Sequence, residues 1–142
     1  MRRIQGGCHC GNIRFEFSWP LDSGDIPVRI CSCSFCKKHN ATYTSHPKAR
    51  LTANINNSAL VNEYVFGTNT AEFHVCSRCG VIPFVTSVID GHQYAVVNVN
   101  TFDRPGTLEL TSEVRDYEHE TTEQRLARRK KIWTPDVTVT RG

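Results

Sequence analysis

The chain has no apolar run approaching the roughly 20 residues that cross a bilayer, and no apolar stretch follows Met1, so neither a membrane span nor a secretory leader is expected. Strong charge of either sign is missing as well: 17 Lys and Arg stand against 14 Asp and Glu, a net charge of +3. Such a balance argues against nucleic acid as a partner, although it suits a small anionic ligand. No internal repeat, low-complexity tract or compositional break divides the sequence. The 142 residues are therefore expected to form one domain, 1–142, burying about 68–70% of its unfolded surface, a core that does not depend on disulfides. The cysteines do not suggest disulfides either: their number, seven, is odd, neighbours within a cluster are separated by only one or two residues, and the clusters lie far apart. A reducing compartment, the cytoplasm, is expected.

What is present is strong local patterning. Residues 12–19 alternate with a period of two, with Ile13, Phe15, Phe17 and Trp19 on one face and polar residues on the other, as in a half-buried strand. Residues 20–27, rich in Asp, Ser and Gly, read as a loop, and 28–31 as a short strand that delivers cysteines. Residues 60–66 and 70–76 read as strands joined around Gly67-Thr68-Asn69. Residues 81–89 and 93–99 flank Asp90-Gly91-His92, and an Asp-Gly step between apolar runs signals a hairpin. The middle of the chain is thus expected to be antiparallel sheet. After a short strand at Leu108 and Leu110 the sequence turns charged, forming an extension from about Thr111. Within it, Thr121 and Gln124 fit a capping box and predict a helix over Thr122–Ile132.

The seven cysteines fall in three clusters: Cys8-His9-Cys10, Cys31-Ser32-Cys33-Ser34-Phe35-Cys36 and Cys76-Ser77-Arg78-Cys79. Zinc would divide them four and three, since four thiolates make a closed structural site and three leave a coordination position for water or substrate. Cys8, Cys10, Cys76 and Cys79 suit the closed site. Sulfurs must sit about 2.3 Å from the metal, so each pair has to turn both side chains toward one point, and glycines beside the cysteines permit the positive φ such turns use. Two buried pairs of free thiols are the alternative. His9, between two ligands, is expected to point away from the metal, because neighbouring side chains diverge in an extended stretch.

Cys31, Cys33 and Cys36 have no fourth cysteine. Zinc with three thiolates carries a formal charge of 2 − 3 = −1, a poor Lewis acid but a good holder of a thiol as thiolate. A free thiol is only about 3% ionised at pH 7, whereas a coordinated one is deprotonated outright. Part of that roughly thirty-fold gain is cancelled, because nucleophilicity falls with pKa along a slope of about 0.4–0.5, so positioning beside the electrophile contributes more. A histidine, His39, His46 or His74, closing a structural site of three cysteines and one histidine is the competing arrangement. A non-catalytic zinc module for protein or nucleic-acid contacts is the competing function.

Gly7-Cys8-His9-Cys10-Gly11, then Ile13-Arg14-Phe15, then Cys31-Ser32-Cys33-Ser34-Phe35-Cys36-Lys37-Lys38, and finally Phe73-His74-Val75-Cys76-Ser77-Arg78-Cys79-Gly80 together resemble the glutathione-dependent formaldehyde-activating family, also called centromere-protein-V-like. The order and spacing of all three clusters agree. The resemblance implies a mainly β fold, the β-tent, with antiparallel sheets around a structural zinc held by Cys8, Cys10, Cys76 and Cys79, here with a short C-terminal helix. It implies a second, catalytic zinc at Cys31, Cys33 and Cys36. The activity implied is that of a carbon–sulfur lyase forming or breaking S-hydroxymethylglutathione, with glutathione as the thiol.

Lys37 and Arg78 are the candidates for holding the carboxylates of such a thiol, with Lys38 and Arg14 as further cations beside the motifs. The basic run Arg125, Arg128, Arg129, Lys130 and Lys131 near Trp133 reads as a solvated helix face rather than a nucleic-acid patch. His39, nearest the open cluster, is the candidate for proton transfer, while His92 and His119 have no partner visible in the sequence. A small thiol or thiol adduct is the expected partner, no membrane is, and a homodimer stays open.

Overall fold

The structure, a computed structural model, describes residues 1–20 and 24–142. In chain order its elements are β1 (Arg2–Gly7), β2 (Ile13–Trp19), β3 (Ile26–Cys31), α1 (Ser34–His39), β4 (Thr42–Thr44), β5 (Arg50–Ile55), β6 (Val61–Tyr64), β7 (Glu72–Cys76), β8 (Phe84–Ile89), β9 (His92–Asn98), β10 (Leu110–Arg115), α2 (Thr122–Ile132) and β11 (Asp136–Arg141). The protein is mainly β, with antiparallel-rich sheets and one short C-terminal helix. Four strands form a sheet in the order β1-β2-β5-β11 and seven form another in the order β10-β3-β4-β9-β8-β7-β6.

The alternation read from residues 12–19 is realised in β2, where Ile13, Phe15, Phe17 and Trp19 are all buried and the residues between them are half-exposed. Asp90 and Gly91 make the β8–β9 turn with φ of 52° and 77°, the left-handed pair that matches the twist of the flanking strands. The expected helix begins and ends at the expected residues, and both halves of its capping box are made: Gln124 N–H donates to Thr121 Oγ1 at 3.1 Å and Thr121 N–H to Gln124 Oε1 at 2.9 Å. Thr121→Ala should therefore cost about 1 kcal/mol, read as a lower denaturant midpoint with an unchanged slope.

Two parallel pairs depart from the expected antiparallel arrangement. β10 runs parallel to β3, and β11 runs parallel to β5. Parallel neighbours need long crossovers, and here the chain supplies them by sending its last third back across both sheets. The charged stretch from about Thr111 thus adds a strand to each sheet. β1, β4, β5, β11 and the six-residue helix α1 go beyond the elements expected from the sequence. The loop expected over 20–27 falls partly on residues 21–23, outside the described residues, and its end is already strand, because β3 starts at Ile26.

Successive residues of β8 and β9 supply two different cores. Phe84 faces Val97 across the ladder and both pack with β1, β2 and β5, whereas Val85 faces Val96 and both pack with Cys36, Ala41, Tyr43 and Trp133. The seven-stranded sheet is therefore covered on both faces, one by the smaller sheet and the other by α1 and the end of α2. The second cover is tied down by Ala95 and Thr134, which exchange both N–H···O bonds at 2.9 Å, and by Ser45 Oγ donating to the Ile132 carbonyl at 2.7 Å.

Candidate functional site

Cys8 and Cys10 lie in the turn between β1 and β2, Cys76 ends β7 and Cys79 lies in the turn that follows it. The two turns share one backbone pattern. Cys8 N–H donates to the Ile13 carbonyl at 2.9 Å and Gly11 N–H returns to Cys8 at 3.3 Å; likewise Cys76 N–H donates to Val81 at 3.0 Å and Gly80 N–H to Cys76 at 2.7 Å. Gly11 and Gly80 carry φ of 87° and 81°, the left-handed region that lets each turn fold its second cysteine back beside its first. Gly7 is required for a different reason: a Cβ there would overlap the Ile13 carbonyl oxygen.

The four sulfurs lie within 4.8 Å of one another, with Cys8 to Cys10 at 3.7 Å and Cys10 to Cys76 at 3.5 Å. A tetrahedron of sulfurs about 2.3 Å from zinc has edges of about 3.8 Å, so the cluster fits the ion. Ile13 N–H also donates to Cys8 Sγ at 3.3 Å, a bond that favours thiolate. Burial pushes the Cys8 thiol up to about 11. At Cys79 burial acts the same way, yet the backbone N–H groups of Cys10 and Val81 and the thiols of Cys76 and Cys8 together bring it down to about 6. Because Cys8 and Cys10 hang from the small sheet and Cys76 from the large one, an ion here would clamp the sheets together. His9 is exposed and outside the group.

Cys31 ends β3, Cys33 is the N-cap of α1 and Cys36 is buried one turn into it. Cys33 Sγ accepts the Cys36 N–H at 3.4 Å, so the helix start itself sets the spacing of the second and third sulfurs. The three sulfurs again lie within 4.8 Å of one another. The neighbouring Cys36 thiol lowers Cys31 to about 6 against the effect of burial, while the proximity of Cys31, together with burial, raises Cys36 far above the thiol range. Three sulfurs crowded within reach of one point are a donor set suited to a cation, and the cluster could hold zinc.

Among the described residues no histidine, aspartate or glutamate joins this group. His39 packs its ring on Phe35 at 4.6 Å, and His46 lies edge-on to Trp19 at 5.1 Å with Nδ1 accepting the Lys48 N–H. His74 is buried, sharing a 2.8 Å hydrogen bond with Thr86 and stacking on Phe84, and burial lowers it to about 4. The arrangement with a histidine as fourth ligand is not what the chain builds.

The open cluster instead faces a cavity of about 140 Å³ whose lining includes Tyr43, Phe66, Phe73 and Trp133. Phe35, between Ser34 and Cys36, packs against Phe66 at 5.0 Å and Phe73 at 4.9 Å and so anchors α1 to the cavity wall. Four arginines complete the lining: Arg29 from β3 and Arg125, Arg128 and Arg129 from α2. The basic run is therefore not a uniformly solvated face, since its arginines turn inward while Lys130 stays outside, paired with Asp90 at 2.9 Å. Their spacing of i, i+3 and i+4 is the one sequence signal that marks a shared helix face. Lys37 and Lys38 are exposed on α1, Arg78 is exposed on the turn of the other cluster, and none of the three lines the cavity. Arg14 is engaged by Asp103 through two hydrogen bonds.

These observations define a mainly β protein with two cysteine clusters able to hold zinc, one of them opening on a cationic, aromatic-walled cavity. The family model described as glutathione-dependent formaldehyde-activating enzyme matches residues 3–120, and the chain belongs to that family. Among solved structures it is similar to the crystal structure of a Rhodobacter sphaeroides protein, at 25% sequence identity and a TM-score of 0.52, over 76% of this chain and 100% of that one. No helix among the described residues is long and apolar enough to cross a membrane.

Proposed function

We propose that the protein is a carbon–sulfur lyase or synthase that forms or breaks adducts between a thiol, glutathione in the first instance, and an aldehyde such as formaldehyde. Cys8, Cys10, Cys76 and Cys79 would hold a structural zinc between the sheets, read here as the β-tent of the family, and Cys31, Cys33 and Cys36 a catalytic one. Bound at the three-cysteine cluster, zinc would keep an incoming thiol in its thiolate form at neutral pH. The observation that carries the proposal is that this cluster has no fourth ligand among the described residues and lies in the wall of a cavity.

In the synthetic direction the thiol gives up its proton to solvent as it ionises, the thiolate attacks the aldehyde carbon, a carbon–sulfur bond forms, and the carbonyl π pair moves onto oxygen, which takes a proton back from solvent. Tyr43 is placed to meet that oxygen. Its side chain is buried in the cavity wall and its hydroxyl has no hydrogen-bond partner among the described residues. Burial, reinforced by the negative charge of the neighbouring cysteine cluster, keeps the phenol protonated and therefore a donor. In reverse the same hydroxyl holds the adduct oxygen while the carbon–sulfur pair leaves with sulfur. Phe66, Phe73 and Trp133 give the cavity an apolar wall, in which a donated bond is stronger than in water. The free thiols require a reducing compartment, in keeping with a cytoplasmic enzyme, and residues 1–142 act as one domain because α2, near the C-terminus, completes the site.

Cobalt(II)-substituted protein titrated with glutathione should develop additional sulfur-to-cobalt charge-transfer absorption, and zinc protein should accelerate S-hydroxymethylglutathione turnover. An unchanged cobalt spectrum at saturating glutathione, with the metal still bound, would overturn the proposal. Tyr43→Phe should lower kcat on the order of 10²-fold, the usual loss for one preorganised donor, with zinc content and KM for glutathione little changed. Steady-state kinetics with metal analysis would check this.

A further inference from the structure

We propose that Arg129, Arg125 and Arg29 form an oxyanion subsite within the cavity, selecting thiol adducts that carry a carboxylate or phosphate group over neutral ones. The inference rests on the thiol-adduct reading for its substrate, but the subsite itself stands on separate geometry.

Arg129 is only 7% exposed, yet no carboxylate among the described residues pairs with it. Its Nη1 donates to Thr70 Oγ1 at 2.9 Å, to Ser87 Oγ at 3.2 Å and to the Thr70 carbonyl at 3.3 Å, all neutral acceptors, and its guanidinium lies 4.9 Å from the Trp133 ring centre. Its Nε, buried, has no hydrogen-bond partner among the described residues. A buried guanidinium with neutral acceptors and an idle donor is costly unless an anion arrives to complete it. Burial and the cations of Arg128 and Arg125 together lower it to about 10, the direction that crowded and uncompensated positive charge produces.

The neighbouring cations repeat the pattern. Arg29 donates to Ser45 Oγ at 2.6 Å and makes no ion pair among the described residues. Arg125 spends one nitrogen on the Tyr117 carbonyl at 2.8 Å and approaches Glu120 only at 3.7 Å, leaving its buried Nε without a hydrogen bond. Arg128 is different: it holds Glu120 through two bonds of 2.8 and 3.0 Å and stacks over Tyr117, so its charge is already matched. Planar guanidinium groups with free N–H donors bind carboxylate and phosphate oxygens in preference to neutral groups. Arg125 and Arg129 stand on α2, beyond the residues 3–120 that the family model matches, so the selectivity would belong to this chain's own C-terminal segment.

Zinc-loaded protein without any thiol should show a higher Tm, and measurable heat on titration, with inorganic phosphate or with succinate; the more effective of the two identifies the oxyanion. Both signals should be lost in Arg125→Gln and in Arg129→Gln at unchanged zinc content. In cobalt-substituted protein the same variants should weaken glutathione about tenfold while leaving glutathione diethyl ester unchanged. If Arg129→Gln does not fold, the half-buried Arg125→Gln decides. A folded Arg125→Gln protein that binds both anions like the parent, or a parent that binds acid and ester equally, would overturn the subsite. Anion binding lost in the variants with no thiol response in the parent would retain the subsite and remove the thiol-adduct reading instead.

Discussion

Cys76→Ala is expected to yield no folded protein. Cys76 is fully buried, its N–H is held by Val81, and its sulfur sits 3.5 Å from that of Cys10 across the junction of the two sheets. Structural zinc sites contribute about 10–16 kcal/mol at neutral pH, against a whole-domain stability of about 5–15 kcal/mol, so removing one ligand from the clamp exceeds what the rest of the core can offset. Far-UV circular dichroism should lose the sheet signal and the melt should lose its cooperative transition. A soluble Cys76→Ala chain that melts cooperatively and still carries two zinc ions would show that the four sulfurs do not share a metal.

Cys36→Ser is expected to have the opposite profile: a folded protein with one zinc ion and almost no activity. Cys36 packs with the second core, on the face of the large sheet away from the clamp, so the substitution should cost only about 1–3 kcal/mol. The site, however, loses one of its three sulfurs. Activity should fall at least about 10³-fold, combining the roughly thirty-fold loss of thiolate fraction with the loss of positioning. Zinc per chain by atomic absorption, the thermal melt and kcat/KM would be measured together. Parental kcat/KM in a one-zinc protein would separate the open cluster from the chemistry.

The elements read correctly were those whose signals are local. The β2 alternation, the Asp90-Gly91 turn and the Thr121–Gln124 capping box each depend on residues within a few positions of one another. β5 and β11 also alternate, with Leu51, Ala53 and Ile55 buried in one and Val137 and Val139 half-buried in the other, so their signal was present in the sequence though shorter and less aromatic. β10 has no such signal, being exposed along its whole length and held as a strand by its ladder to β3. The substrate-binding cations read from proximity in sequence, Lys37 and Arg78, were not the ones brought to the cavity, because adjacency along a short helix or a turn does not set which way a side chain faces.

The division of the cysteines into two pairs and a triplet was determined by the sequence alone, since their spacing and the glycines that follow the second cysteine of each pair are properties of a few contiguous residues, whereas the meeting of the two pairs depends on the packing of the two sheets. The cavity was decided only by tertiary structure. Arg29 lies roughly a hundred positions from Arg125 and Arg129, and they meet because β10 returns to pair with β3 while Thr134 docks α2 on β9. Burial beside the cysteines, with at most a distant carboxylate to match their charge, is what makes those arginines chemically distinct, and burial is a property of the packed chain rather than of neighbouring residues.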